Sequence, residues 1–278
     1  MNGDGELPHG WTDCWLLASD PAQSKPPQVT RSGFGSFDAA QPYTGVPLGS
    51  VYAWGGEMKA GKSRWVLAMS AGRAFHSQRV AYMMTEMSPA DHFKRLLTMR
   101  SGLTLEQFTS RERAAEVKAA SSWVKERIGK RLAFKPVPQT LEDITKAAEW
   151  VGEGGHVVVD SVQGVMQGAA NMNRGDAVEQ AMRHIVALAQ RTGAAFDIIS
   201  EIGKPSNGGE RSGAFDFTKH SSSIRQNCDA FYVVRGAQGT TQRVECMDQR
   251  HGPKQDFTIM LSEQNHFPLL PPWEGGAP

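Results

Sequence analysis

Cysteine is scarce: Cys14, Cys228 and Cys246 are the only three in 278 residues. They are far apart and odd in number, which excludes a disulfide framework and a four-cysteine zinc site. No stretch comes close to the roughly 20 consecutive apolar residues of a membrane span. The polar start Met1-Asn2-Gly3-Asp4 lacks the charged and apolar regions of a secretory leader, so the expectation is a cytoplasmic protein with no membrane partner. Charge of one sign is also missing. A net charge of +1 means that any basic surface must be local.

Regular structure is scarce at the front of the chain. Residues 1–43 are dominated by Gly, Pro, Ser and Gln, and Pro21, Pro26, Pro27 and Pro42 interrupt any long element, so an N-terminal arm is expected there. Within it, Trp11 and Trp15 stand four apart, the spacing of one apolar helical turn, which packs either on its own domain or on a neighbouring subunit. Residues 44–267 read as one domain. Residues 268–278 form a Pro-rich tail.

The domain is organised around Gly56-Glu57-Met58-Lys59-Ala60-Gly61-Lys62-Ser63, which fits Gly, four residues, then Gly-Lys-Ser. Such a loop turns backbone N–H groups inward around a polyphosphate, helped by the positive end of the helix that follows. Lys62 is expected to reach the β and γ phosphates. Ser63 is expected to offer its hydroxyl to a Mg²⁺ that bridges them. The flanks agree: Val51-Tyr52-Ala53-Trp54 reads as a strand running into Gly55-Gly56, and Trp65, Val66, Met69 and Ala74 carry helical spacing after the loop.

Further on, residues 79–85 read as a buried strand ending at Glu86. Ser88 caps a helix with Pro89 in its first turn and Phe93, Leu96 and Leu97 as its buried stripe. A helix through Ala114, Val117, Val124 and Ile128 stops at Gly129. A short strand at 132–134 precedes a helix over 140–151 with Leu141, Ile144, Ala148 and Val151 inward. His156-Val157-Val158-Val159-Asp160 is a β-branched run that ends in a carboxylate, as in a strand buried on both faces. Residues 163–175 are expected to be a mobile loop, 177–191 a helix and 195–200 a strand. A polar connector follows over 203–227, and strands near 230–234, 243–247 and 257–261 close the chain.

Strands alternating with helices predict an α/β fold with a mostly parallel sheet flanked by helices, and ligands of such a sheet sit beyond the carboxyl ends of its strands. Glu86, Asp160 and Glu201 all fall at expected strand ends, on the edge that carries the phosphate loop. In phosphoryl transfer to water, Lys62 and the loop amides neutralise phosphate charge, Asp160 serves the Mg²⁺ shell, and Glu86 orients or deprotonates the attacking water.

Taken in order, Thr44-Gly45-Val46-Pro47-Leu48-Gly49-Ser50, the phosphate loop, residues 80–88, Arg95-Leu96-Leu97 and residues 157–163 resemble the RecA-like P-loop ATPases. The likeness is to the motor domain of DnaB-type replicative helicases and to the RadA (Sms) branch-migration ATPases, and it covers residues 44–267. It implies ATP as substrate with Mg²⁺, a ring (a hexamer) or filament of identical subunits with nucleotide between them, and single-stranded DNA as partner. Glu86 then activates water and Asp160 serves the metal. Glu201 stands where the family carries a Gln or His that senses the γ phosphate, and an ionised acid cannot donate as those do. Asp248-Gln249-Arg250-His251-Gly252 matches the family's basic pair that reaches the neighbour's nucleotide, with Arg250 as the arginine finger and Asp248 in place of a lysine. Arg174, Lys204, Arg211, Lys219 and Arg225 are the implied phosphate partners of DNA. Three alternatives stay open: a strand-exchange filament, a nucleotide-switched loader or regulator with weak hydrolysis, and a KaiC-like ring acting on protein.

Overall fold

The computed structural model describes residues 26–136, 139–165, 174–202, 219–268 and 270, without the side chains of residues 109, 174 and 219–222. In chain order its elements are β1 (Val29–Thr30), α1 (Gly35–Ala39), β2 (Val46–Pro47), β3 (Val51–Gly55), α2 (Lys62–Phe75), β4 (Val80–Met84), α3 (Pro89–Ser101), α4 (Ala114–Arg127), β5 (Leu132–Lys135), α5 (Leu141–Val151), β6 (His156–Asp160), α6 (Arg174–Thr192), β7 (Ala195–Ile199), α7 (Lys219–Asn227), β8 (Ala230–Val234), β9 (Thr241–Gln249) and β10 (Phe257–Met260). None of these helices is long and apolar enough to cross a membrane.

Eight strands form one sheet in the order β10-β9-β8-β3-β7-β6-β4-β5, and β1 pairs with β2 apart from it. From β8 to β5 every neighbour is parallel, while β9 and β10 pair antiparallel at one edge. The expected mostly parallel sheet flanked by helices is the observed one. β3, β4, β7 and β8 are buried along their whole length, which explains why these segments are continuous apolar runs instead of alternating ones.

Each face has its own core. Trp54, Tyr82, Val158 and Tyr232 point to the side covered by α2, α3 and α4; Ala53, Val157, Val159 and Ile198 point to the side covered by α5 and α6. Local signals start the helices where the sequence places them. Ser88 accepts from Asp91 N–H at the start of α3, and Thr140 and Asp143 make a reciprocal capping box at the start of α5.

Three expectations change. Phe93 is 38% exposed and lies beside Phe108 and Val117, because α3 turns His92, Leu96, Leu97 and Met99 inward instead. The second half of the polar connector is helix α7, anchored by the buried Ile224. Residues 29–43 do not stand off as an arm. Phe37 is fully buried in contact with Trp54, Trp65, Tyr52, Tyr232 and Phe257, so this polar stretch supplies a central aromatic of the core. Trp11 and Trp15 lie outside the described residues, as do Lys204, Arg211 and most of the 163–175 stretch.

Candidate functional site

The phosphate loop joins β3, near the centre of the sheet, to α2. Its path depends on glycine at two points. Gly56 has φ +152°, and a Cβ there would lie 2.6 Å from the Val234 carbonyl; Gly61 has φ +97° at the helix cap, against the Gln242 amide. Gln242, buried on β9, donates to the carbonyls of Ala60 and Arg235, pinning the loop to the antiparallel edge of the sheet. Lys62 opens α2, and its Nζ donates to the carbonyls of Gly56 and Glu57, each at 2.9 Å. Nearly all of the Lys62 side chain is out of water.

Three acids reach this loop from three strands, as their positions in sequence require. Glu86, Asp160 and Glu201 share one cavity of about 510 Å³ with Gly61, Lys62 and Ser63. The strand ends that deliver them are tied together by short side chains. Thr85 Oγ1 donates to Asp160 O at 3.1 Å and accepts from Ser161 N–H at 3.0 Å, joining the end of β4 to the end of β6. Gln163 Nε2 donates to Ser200 Oγ at 2.7 Å, joining the turn after β6 to the end of β7.

Asp160 is the most restrained acid. Tyr82 Oη donates to its Oδ2 at 2.9 Å and Ser63 bonds the same carboxylate. Burial pushes the Asp160 carboxyl above its usual range, against the pull of those hydrogen bonds and of Lys62. Burial lowers the Lys62 ammonium, while Glu201, Asp160 and Glu86, in that order, raise it. A hydroxyl and a restrained carboxylate beside a lysine and free amides suit Mg²⁺ and phosphate oxygens, which take hard oxygen ligands and few from the protein.

Two side chains here escaped the sequence reading. Arg95, on α3, reaches the same cavity half-buried and without a hydrogen-bond or ion-pair partner among the described residues. Burial lowers its guanidinium, with Tyr82 and Asp160 opposing. His92, three residues earlier, is buried against Tyr82 and Phe134; its Nε2 has no partner among the described residues, and burial holds it neutral with a pKa lowered to about 4. The available signal was their position in the first two turns of a capped helix that begins just after a strand-end acid. Met58, Lys59, Met87, Leu105 and Phe267 complete the wall, where Arg64 lies 5.6 Å over the Phe267 ring.

Arg250 is not in this cavity. It follows β9, whose last residue pairs with Ala230 at the beginning of β8, so it lies at the opposite end of the sheet from the chain's own phosphate loop. There Arg250 Nη1 meets Asp229 Oδ1 at 3.2 Å and Nη2 donates to Gln226 O. Asp248 holds Arg225 Nε at 2.8 Å and Lys254 at 3.5 Å, so Arg225 is committed to a carboxylate. Arg174 and Lys219 open α6 and α7.

The AAA domain family matches residues 40–207, which spans the phosphate loop and all three strand-end acids. No curated protein matches the chain. Among solved structures, the fold is similar to one described simply as an ATPase domain, with TM-score 0.76 and 15% identity over 92% of this chain and 97% of that one. A DnaB-like replicative helicase, solved for its interactions with primase, superposes with TM-score 0.75 and 14% identity over 91% of this chain. The matched part is 65% of that helicase chain.

Proposed function

Because the chain belongs to the AAA domain family, we propose that it is an ATP-hydrolysing motor of the DnaB type, acting on single-stranded DNA as a ring or filament with nucleotide between subunits. The observation that carries this reading is the convergence of Lys62, Ser63, Glu86, Asp160 and Arg95 on one cavity at the carboxyl edge of the sheet. Loop amides and Lys62 hold the phosphates, and Arg95, otherwise unpartnered among the described residues, adds a cation to them. Ser63 and Asp160 would hold Mg²⁺, which supplies charge neutralisation across the β and γ phosphates. Tyr82 keeps the Asp160 carboxylate in one orientation. Glu86, exposed in the wall, orients the attacking water and accepts its proton.

The location of Arg250 supports a site completed between subunits, since a residue at the far end of the sheet serves only a neighbour's nucleotide. Arg174, Lys204, Arg211 and Lys219 are the proposed contacts to DNA phosphates. Residues 44–267 are the proposed motor domain. A second reading, a nucleotide-switched loader or regulator, draws support from Asp248, whose carboxylate ties up Arg225 and Lys254 where an added cation would favour hydrolysis.

The test is the ATP hydrolysis rate of the purified chain with and without single-stranded DNA, beside Lys62→Ala and Glu86→Gln. A DNA-stimulated rate that both variants abolish is the expected result. Tight ATP binding with little hydrolysis under either condition selects the switch.

A further inference from the structure

Glu201 differs from the other two acids in how it is held. Its backbone is fixed to the phosphate loop on both sides: Ser200 N–H donates to Trp54 O at 3.0 Å and Ile202 N–H donates to Gly56 O at 3.2 Å. Ile202 is buried so tightly over Gly55 that a Cβ on that glycine would lie 2.3 Å from Ile202 Cδ1. Ser200 is itself fully buried and takes the Gln163 amide. The residue therefore cannot swing away from the loop as a body. Only its side chain has freedom, and that side chain lines the cavity with Lys62 and Asp160.

The Glu201 carboxylate has no hydrogen-bond donor among the described residues, whereas Asp160 is bonded by Tyr82 and Ser63. A carboxylate without donors presents its full charge to whatever enters. Of the three acids it has the strongest electrostatic hold on Lys62. A diphosphate engages the loop amides and Lys62; a third phosphate adds negative charge on the side of the strand-end acids.

We propose that Glu201 is a charge gate that sets the preference between nucleoside triphosphate and diphosphate, opposing the terminal phosphate until a divalent cation screens it. This rests on the reading of the cavity as a nucleotide site. The gate makes triphosphate binding depend on the cation more steeply than diphosphate binding does, and it makes the diphosphate state comparatively long-lived.

Titration calorimetry of the full chain with ATPγS and with ADP, each in EDTA and in Mg²⁺, tests the gate on Glu201→Gln and Glu201→Ala. Both variants are expected to tighten ATPγS in EDTA about tenfold while ADP changes less than about threefold, since one nearby unit charge at intermediate dielectric is worth at least that much. With Mg²⁺ the difference shrinks. Equal changes for both nucleotides, or no change, overturn the gate. Tightening by Gln but not by Ala also overturns it, because the amide's hydrogen bond and not the lost charge would then be the cause. Failure of the unsubstituted chain to bind either nucleotide, unaltered in Lys62→Ala, overturns the nucleotide reading itself.

Discussion

Asp197 and Glu201 are four residues apart, yet one is sealed in the core and the other faces an open cavity. Asp197, in the middle of β7, is fully matched. It accepts from Trp54 Nε1 at 2.9 Å and from Arg73 on α2, and His156 Nδ1 lies 3.6 Å away on β6. His156 Nε2 in turn meets Thr30 Oγ1 at 2.7 Å, which brings β1 into the network. Burial alone would raise the Asp197 carboxyl, but the Arg73 charge and the His156 bond hold it well below the usual carboxylate range. At the cavity the balance is reversed: Arg95 and Glu201 carry charges with no bonded partner among the described residues. Charges matched within the protein hold the fold together, and charges left unmatched beside a loop of amides are available to a ligand.

The sharpest way to break this comparison is to unmatch the core. Arg73→Met leaves the Asp197 carboxylate buried without its cation and is expected to cost about 3–5 kcal/mol in urea unfolding. Adding Asp197→Asn, which still accepts from Trp54, should restore much of that loss, because the charge itself is then gone. A double variant as unstable as the single one would mean that Arg73 acts by packing alone.

Acid sharpens it next. Burial, the largest cause, lowers both His156 and His92 to about 4, against about 6.5 in an unfolded chain. Between those values the unfolded chain binds protons that the folded one does not. Stability is therefore complete above about pH 6.5 and falls as pH drops toward 4, with a slope of up to about 2.7 kcal/mol per pH unit for the two groups. Urea unfolding between pH 7 and pH 5 measures this, and His156→Asn should reduce the slope. A flat profile would show that one or both imidazoles reach water.

The smallest stability effect belongs to the cavity. Arg95→Met is expected to change unfolding by no more than about 0.5 kcal/mol, since no protein partner is lost among the described residues. Its ATP affinity is expected to fall about tenfold through a lost charge-assisted contact. A variant that loses stability and keeps its affinity would move Arg95 into the matched group.

The site was legible where chemistry is local. The Gly-Lys-Ser loop, the acids closing apolar runs at Glu86 and Asp160, and the caps at Ser88 and Thr140 each act within a few residues, so their spacing is visible in one dimension. Arg95 and Tyr82 were not, because their roles depend on which way α3 and β4 turn once packed. Phe93 was misplaced for the same reason: a stripe of three apolar residues leaves the helix a choice of faces, and contacts with the sheet make it. Phe37 shows the limit of composition, since one buried ring outweighs a polar, Pro-rich neighbourhood.

By itself, the sequence determined the order of strands and helices, the phosphate loop and the edge of the sheet to which three carboxylates come. These follow from residue periods and turn chemistry, which are short-range. Only the tertiary structure decided which charges are spoken for. Arg73 and Asp197 are 124 residues apart and His156 and Thr30 are 126 apart, and nothing in sequence pairs them. Strand order places β7 beside β3 and β6 and seats α2 across them. Burial then forces each interior charge to find a partner, while the cavity, open to water, tolerates charges that have none.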